Sequence, residues 1–184
     1  MKYLALLRGI NVGGNSMIAM SDLRECLENA GFDQVRTYIQ SGNVLFAARR
    51  TGTSVLAARI ERAVEKTFVM KVGVTVFTAD EWEEVVRLAP NWWGKDKEWK
   101  HNLLALLPGT ESAEVIDAMA GLKLDRERVA AGPRVVYQSV SADMPGRTTT
   151  SKLLSHAIYG RVTIRNYNTT HKLAELLRGD SYDG

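Results

Sequence analysis

The sequence predicts an α+β protein of two ferredoxin-like halves, each a βαββαβ unit plus a helix, with antiparallel sheets and helices packed on one face. Three observations support this. The order strand, helix, strand, strand, helix, strand, helix occurs twice, and each half contains a hairpin. The spacing from hairpin to last strand is also similar, from Val44 to Val72 and from Val135 to Val162. We infer that the chain contains an internal duplication, in which the pattern of strands and helices occurs twice with about 90 residues in each half.

Composition and charge are those of an ordinary globular protein. The chain has 184 residues, 45% hydrophobic and 24% charged, which allows one domain or two small ones. Its net charge of +3 is too weak to argue for nucleic acid. The single cysteine fits a reducing compartment, and the apolar run Tyr3–Leu7 is too short for a signal peptide or membrane span. We expect a cytoplasmic protein with no membrane contact.

The first half, residues 1–89, begins with a strand, Tyr3–Arg8, that the residues Gly9–Asn15 cannot continue. A helix follows, with Ser21 as its expected N-cap and Gly31 as its expected end. The long connection between them contrasts with the short Pro-Gly-Thr turn at the same point of the second half. Long connections tend to be functional or mobile.

The rest of the first half contains a hairpin, an amphipathic helix, a strand and a further helix. Two strand-like runs, Val35–Gln40 and Val44–Ala47, are joined by a Ser-Gly-Asn turn. The run Val72–Phe77 is β-branched and predicts a strand. Thr78 and Glu81 form a capping-box pattern that begins the last helix.

The second half, residues 101–184, repeats this order after a linker, residues 90–100, that is rich in Trp and Lys. Apolar spacing predicts its helices around Val115, Leu153 and Leu173. The expected strands are His101–Leu107, Glu127–Ala131, Arg134–Val140 and Arg161–Ile164.

We expect the loops after the first and third strands of a half to lie at one end of its sheet. The hairpin is then expected at the other end, roughly 17 Å away for strands of five residues. On this view Gln40–Asn43 does not meet the 9–15 loop within the first half.

Three motifs carry a resemblance to a known family: RGINVGG at 8–14, TYIQSGNVLF at 37–46 and TIRNYNTTHKL at 163–173. Together they resemble the uncharacterised family known as domain of unknown function 1697. That family usually has tryptophan where this chain has Tyr167. The resemblance implies a two-part α/β fold, and it implies no established activity, substrate or cofactor.

The glycine-rich loop after the first strand is a candidate anion site. Glycines between a strand and a helix let backbone N–H groups approach an anion, and Arg8 adds hydrogen-bond donors at the loop entrance. The spacing matches neither common phosphate-binding glycine motif. The alternative is that these glycines only permit positive φ angles.

A basic stretch near the C-terminus is the second candidate. Residues 146–178 hold six basic residues and one acidic residue. A polar run begins the last helix, with Asn168 or Thr169 as the expected N-cap, and such a helix start suits a phosphate or carboxylate. The alternative is a solvated basic face with an ordinary cap. The predicted ligand-binding residues of the two candidates are Arg8, Asn11, Gly13, Gly14, Asn15, Lys152, Arg165, Asn166, Asn168 and Thr169.

Three tryptophans, Trp92, Trp93 and Trp99, alternate with lysines between the halves. Aromatic rings beside cations can stack the bases of single-stranded nucleic acid. They can equally cover a seam between the two halves, and we favour the seam.

Catalytic patterns are mostly absent. Cys26 lies on a helix with no base indicated nearby, and Ser41 belongs to a turn. The three histidines have no metal-binding spacing. No cofactor, metal or catalytic residue is therefore predicted, and whether the protein is an enzyme stays open.

The sequence favours a protein that binds an anionic, phosphate-bearing small molecule in a cleft between the halves. The alternatives are a single-stranded nucleic-acid-binding module, an enzyme acting on a phosphorylated small molecule, and a structural or interaction protein. The oligomeric state is not predicted.

Overall fold

The computed structural model describes residues 1–11, 18–119, 126–143 and 153–179. By its packing the chain divides into two compact units. Unit 1 is Met1–Trp82 with Leu173–Gly184, and unit 2 is Glu83–Lys172. These ranges differ from the predicted 1–89 and 101–184, because the chain from Leu173 onward groups with unit 1. The predicted linker, residues 90–100, lies within unit 2.

Unit 1 contains a four-stranded antiparallel sheet in the order β2-β3-β1-β4, with helices on the face that holds its main core. This confirms the predicted fold class for the first half. The elements up to the unit boundary are β1 Lys2–Leu7, α1 Met20–Asn29, β2 Asp33–Tyr38, β3 Asn43–Ala47, α2 Thr53–Phe68, β4 Val74–Thr78 and the start of α3 Ala79–Arg87.

The helix ends of unit 1 show which local signals act as predicted. The Thr78 N–H donates to Glu81 Oε2 at 2.8 Å and the Glu81 N–H donates to Thr78 Oγ1 at 3.1 Å, so the capping box is confirmed. Gly31 follows α1 with a φ of +79°. The predicted cap at Ser21 is wrong, because α1 begins two residues earlier than that cap implies and has Ala19 at its N-cap.

Strand β1 is buried on both of its faces. Tyr3, Ala5 and Leu7 belong to the core that packs against α1 and α2. Leu4 and Leu6 point the other way and are also fully buried, at 0% exposure. A strand covered on both sides is a continuous apolar run rather than an alternating one, which explains the sequence of β1.

The hairpin prediction for the first half is wrong about where the turn lies. Strand β1 pairs antiparallel with β3, which sets Leu6 opposite Asn43. The chain therefore begins β3 at the end of the sheet where β1 finishes. The Leu7 N–H donates to the Gly42 carbonyl at 2.8 Å, and Asn11 Nδ2 donates to the Gln40 carbonyl at 3.1 Å. The hairpin turn and the start of the 9–15 loop thus meet within unit 1.

Unit 2 repeats the same strand order as a second four-stranded antiparallel sheet, β6-β7-β5-β8, which confirms the fold class for the second half. Helix α3 and the last helix of the chain, α5 (Tyr167–Arg178), each have residues in both units. The remaining elements are β5 Trp99–Leu106, α4 Ser112–Ala118, β6 Glu127–Gly132, β7 Val135–Ser141, a 3₁₀ helix Ala157–Arg161, β8 Val162–Asn166 and α5 Tyr167–Arg178.

The sheet of unit 2 is also buried on both faces. Leu104 and Val136 pack in the core that includes Val115 of α4. On the other face Leu103 and Tyr137 are fully buried. The Tyr137 hydroxyl donates to the Val85 carbonyl at 2.5 Å, and burial raises the pKa of Tyr137 to about 12, with a smaller contribution from the nearby Glu84 charge.

A helix that spans a bilayer needs about 20 apolar residues in a row, and the described helices contain no such segment.

Candidate functional site

The predicted ligand-binding residues fall into three groups. Gly13, Gly14, Asn15 and Lys152 lie outside the described residues. Arg8 and Asn11 belong to unit 1, whereas Arg165, Asn166, Asn168 and Thr169 belong to unit 2. A cleft shared by the two halves therefore stays a prediction, and each group is considered within its own unit.

Asn11 closes the base of the loop that follows β1. Its Nδ2 group donates to the Ile18 carbonyl at 2.9 Å, and its Oδ1 accepts the Ile18 N–H at 2.7 Å. Its φ of +57° lies in the left-handed region, which asparagine tolerates better than most residues. Arg8, just before this loop, is half-buried, and its N–H donates to the Gly73 carbonyl at 2.8 Å.

Arg165 is a buried residue of β8 rather than a residue of an open site. Its side chain is 6% exposed, and its Nη1 donates to Thr163 Oγ1 at 2.9 Å and to the Ile164 carbonyl at 2.8 Å. Burial lowers the pKa of Arg165 to about 10, because the charged form loses hydration.

The cap of helix α5 differs from the prediction. The expected N-cap was Asn168 or Thr169, but the helix begins at Tyr167. The Thr169 N–H donates to Asn166 Oδ1 at 2.8 Å, so Asn166 is the capping residue. The prediction was two or three residues late, because the asparagines and threonines of this run are similar as capping residues and the length of β8 decides among them.

A groove of about 500 Å³ lies at the start of α5 within unit 2. The predicted Asn166 and Asn168 both border it, whereas Arg165 and Thr169 do not. The residues that line the groove are Gly94, Asp96, Lys97, Trp99, His101, Asn166, Tyr167 and Asn168.

The sequence does not indicate one wall of this groove, because its pattern predicts that residues 90–100 are a linker. Strands β5 and β8 pair antiparallel with Asn102 opposite Asn166. The chain that leads into β5 therefore lies beside the end of β8 and the start of α5. The predicted topology contained this signal, because the first and last strands of a ferredoxin-like half are antiparallel neighbours.

Tyr167 packs into an aromatic cluster beside the groove. Its ring centroid lies 4.9 Å from that of Trp93 and 4.2 Å from that of His171. Gly94 packs directly on the Tyr167 ring, since a Cβ atom at Gly94 would lie 2.0 Å from a ring carbon. The φ of Gly94 is +86°, so glycine is required both for backbone conformation and for space.

Trp93 is a core residue of unit 2 and is only 5% exposed. Its indole N–H donates to the Asn102 carbonyl at 3.1 Å, and its ring lies 5.4 Å from that of Tyr137. A buried ring with these contacts does not offer a face for stacking. Trp99 differs, since it is half-buried and borders the groove.

His101 holds the wall of the groove to the sheet. Its Nε2 lies 2.7 Å from the Asp96 carbonyl oxygen, and its Nδ1 lies 2.6 Å from Ser139 Oγ. A carbonyl oxygen can only accept a hydrogen bond, so Nε2 carries a proton. Both ring nitrogens are therefore engaged, and His101 ties the chain at Asp96 to Ser139 of β7.

The groove combines positive and negative groups. The first N–H groups of α5, a helix of 12 residues, carry positive potential at its start, and Lys97 is exposed on the groove wall. The Asp96 carboxylate opposes them, although its Oδ1 accepts the Glu98 N–H at 3.1 Å. Among the described residues, no three side chains of His, Cys, Asp or Glu form a cluster that could hold a metal ion.

The sequence model of the family described as "Protein of unknown function (DUF1697)" matches residues 1–137. The chain belongs to this family. The DUF1697 membership confirms the resemblance carried by the sequence motifs, although the match ends before the groove residues of α5. The description of the family names no activity.

A solved structure extends the likeness beyond residue 137. The conserved bacterial protein SP0830 from Streptococcus pneumoniae is 28% identical in sequence to this DUF1697 chain, and the two structures superpose with a TM-score of 0.84. The matched region covers 96% of this chain and 98% of the SP0830 chain. The similarity in fold therefore includes nearly the whole chain. None of the curated proteins matches this chain in sequence.

Proposed function

We propose that this protein binds a small phosphate-bearing molecule in the groove at the start of α5. The observation that carries the proposal is that Lys97 and the first residues of α5 line one groove of about 500 Å³. Sites for small molecules commonly have volumes of this order. Binding in a reducing, cytoplasmic setting, which the single cysteine favours, is part of the proposal.

Electrostatics favour an anion at this end of the helix. A helix N-terminus acts as about half a positive charge, and the effect is strongest within the first turn. Backbone N–H groups and a lysine together suit a phosphate group, because they supply directed donors as well as charge. The Asn168 amide adds a neutral donor and acceptor on the same wall, and Asn166, whose Oδ1 caps the helix, adds its Nδ2 donor.

The alternative of an interaction protein would be favoured by apolar surface left open on the sheets. Leu4 and Leu103, which lie on the sheet faces away from the main helix-packed cores, are both fully buried. These two positions therefore give that alternative no support.

A thermal-shift panel tests the proposal, with inorganic phosphate, ribose 5-phosphate and mononucleotides as probes. A ligand present at 100 times its dissociation constant should stabilise the folded protein by about 2.7 kcal/mol. For a chain of this size that corresponds to about 5–10 °C in Tm.

Two lysine variants localise the site. Lys97→Gln should reduce the shift, because Lys97 borders the groove. Lys95→Gln is the matched control, since Lys95 is exposed nearby but does not border the groove. Equal losses in both variants, or no shift with any probe, would contradict the proposal.

The predicted contribution of the first half is tested in the same assay. If Arg8 and the loop after β1 share the site, Arg8→Ala reduces the shift as Lys97→Gln does. An unchanged shift in Arg8→Ala would confine binding to the groove of unit 2.

A further inference from the structure

We infer that the ligand of this groove is a free mononucleotide and that Trp99 is the residue that recognises its base. This inference rests on the proposed function and names the class of ligand. It starts from the position of Trp99, which borders two grooves at once. The second groove has a volume of about 710 Å³ and is lined by Glu98, Trp99, Arg126, Ser141, Ala142 and Asp143.

The strand register leaves room beside the indole ring. Trp99 pairs with Ser141 and His101 pairs with Ser139 across β5 and β7. Directly opposed residues of paired strands lie on the same face of a sheet, as do alternate residues along one strand. The small Ser141 lies opposite the indole ring, and both residues line the groove of about 710 Å³, so a flat group has space to pack there.

Arg128 of β6 adds a cation beside the indole ring. Its guanidinium carbon lies 4.7 Å from the centroid of the Trp99 ring, and Arg128 is itself exposed. A guanidinium packed on an aromatic ring is a favourable pair, and such pairs recur where proteins stack nucleic-acid bases. Trp99 also borders the groove that contains Lys97 and the start of α5, so one molecule can reach the indole and these cationic groups together.

The groove walls offer groups that suit the two parts of a nucleotide. The rings of Trp99 and Tyr167 supply aromatic surface, and every nucleobase has a π-face that such surface can contact. The Asn168 amide can bond the polar edge of a base, and the Asn166 Nδ2 group can donate to it while the Asn166 Oδ1 caps the helix. Lys97 and the helix N-terminus serve the phosphate, as in the proposed function.

The balance of charge favours a single nucleotide over a polynucleotide. A polyanion binds by neutralising several phosphates at once, which requires an excess of Lys and Arg. Among the described residues that line the two grooves or contact the Trp99 ring, basic and acidic side chains are equal in number. Asp143 is moreover firmly ionised, because hydrogen bonds from Ser141 and Arg126 lower its pKa. The charged residues in question are Lys97, Arg126, Arg128, Asp96, Glu98 and Asp143.

Isothermal titration with adenosine 5′-monophosphate and with ribose 5-phosphate tests the inference. The nucleotide should bind about tenfold more tightly, because stacking on an aromatic ring contributes that much per base. Trp99→Leu should bring the affinity for the nucleotide down to that for ribose 5-phosphate and leave the latter unchanged. Trp99→Phe keeps an aromatic face and should retain most of the preference.

Fluorescence provides a second readout that a merely structural role of Trp99 would not change. In the wild-type protein, adenosine 5′-monophosphate should quench tryptophan emission and ribose 5-phosphate should not. The quenching should disappear in Trp99→Phe while binding persists. A urea denaturation midpoint close to that of the wild type verifies that each variant is folded.

The outcomes separate the inference from the proposed function. Equal affinities for the nucleotide and ribose 5-phosphate would overturn the inference and leave the proposed function standing. Absence of binding by every phosphate-bearing probe would overturn both. Much tighter binding of a six-nucleotide single strand, with a steep dependence on salt, would overturn the mononucleotide assignment and favour a polynucleotide instead.

Discussion

Gly94 illustrates how one residue shapes the groove wall. Its left-handed φ and its contact with the Tyr167 ring both exclude a side chain. Gly94→Ala should therefore lower the free energy of unfolding by about 3 kcal/mol, from the strained backbone and the overpacked ring together. Urea denaturation measures this change.

Gly109 is the matched control for that prediction. Its φ of +79° is similar, but no atom lies within 4 Å of a Cβ built there. Gly109→Ala should cost only the conformational part, about 1 kcal/mol. Equal costs for the two variants would show that the contact with Tyr167 contributes nothing.

Tyr167 itself stands where the family usually has tryptophan, and its ring packs on Trp93 and His171. Tyr167 belongs to the motif TIRNYNTTHKL, but the motif by itself does not show that this residue lines a groove wall. The contact that matters is with Gly94, which lies more than 70 residues away in the sequence. Local patterns carry no information about such a pair.

Among the helices, α1 and α3 differ in whether a residue with capping propensity makes the capping hydrogen bond. Thr78 and Glu81 make both reciprocal bonds at the start of α3. The Ser21 hydroxyl donates to Asp22 Oδ1 and does not cap α1. Thr78→Ala should lower the free energy of unfolding by about 1 kcal/mol, whereas Ser21→Ala should change it by less than about 0.5 kcal/mol.

Thermal and urea denaturation of the Thr78→Ala and Ser21→Ala variants measure these two changes in the free energy of unfolding. A loss in Ser21→Ala as large as that in Thr78→Ala would mean that Ser21 stabilises α1 in a way its contacts do not show.

At the level of the whole molecule, each sheet is buried on both of its faces. One face packs against helices in the main core of its unit, and the residues named on the opposite face are also fully buried. The fold class predicted from the sequence places helices on one face only. Leu104→Ala on the α4 side should cost about 2–5 kcal/mol, as is usual for a buried leucine. Leu103→Ala on the other face should cost a similar amount, because Leu103 is 0% exposed. A loss below about 1 kcal/mol in Leu103→Ala, measured by urea denaturation, would indicate a solvated face.

Most of the fold was predictable, because it rests on local signals. The apolar runs of β1 and β4, the turn between β2 and β3, and the capping box of α3 each act over a few residues. Repetition of their order predicted two antiparallel sheets, and both are present in the same strand order.

The candidate site was predicted only in part. Asn166 and Asn168 were recognised as polar residues at a helix start, and both border the groove. Arg165 was chosen from the same run, but alternation along β8 points it inward. Side chains alternate between the two faces of a strand, so only one of two adjacent polar residues faces a site. The position at which the strand ends decides which of the two it is.

The sequence alone established the fold class, the family and the positions of the polar helix start. The fold class depends on the types of residue and on the repeated order of the elements, and the family depends on three motifs and their spacing. Pairing of β5 with β8 brought the chain before β5 to the start of α5, and pairing of β1 with β3 brought the hairpin to the first loop. Such contacts depend on strands distant in sequence that pair only when the sheet forms, so the groove and its aromatic wall became visible in the folded structure.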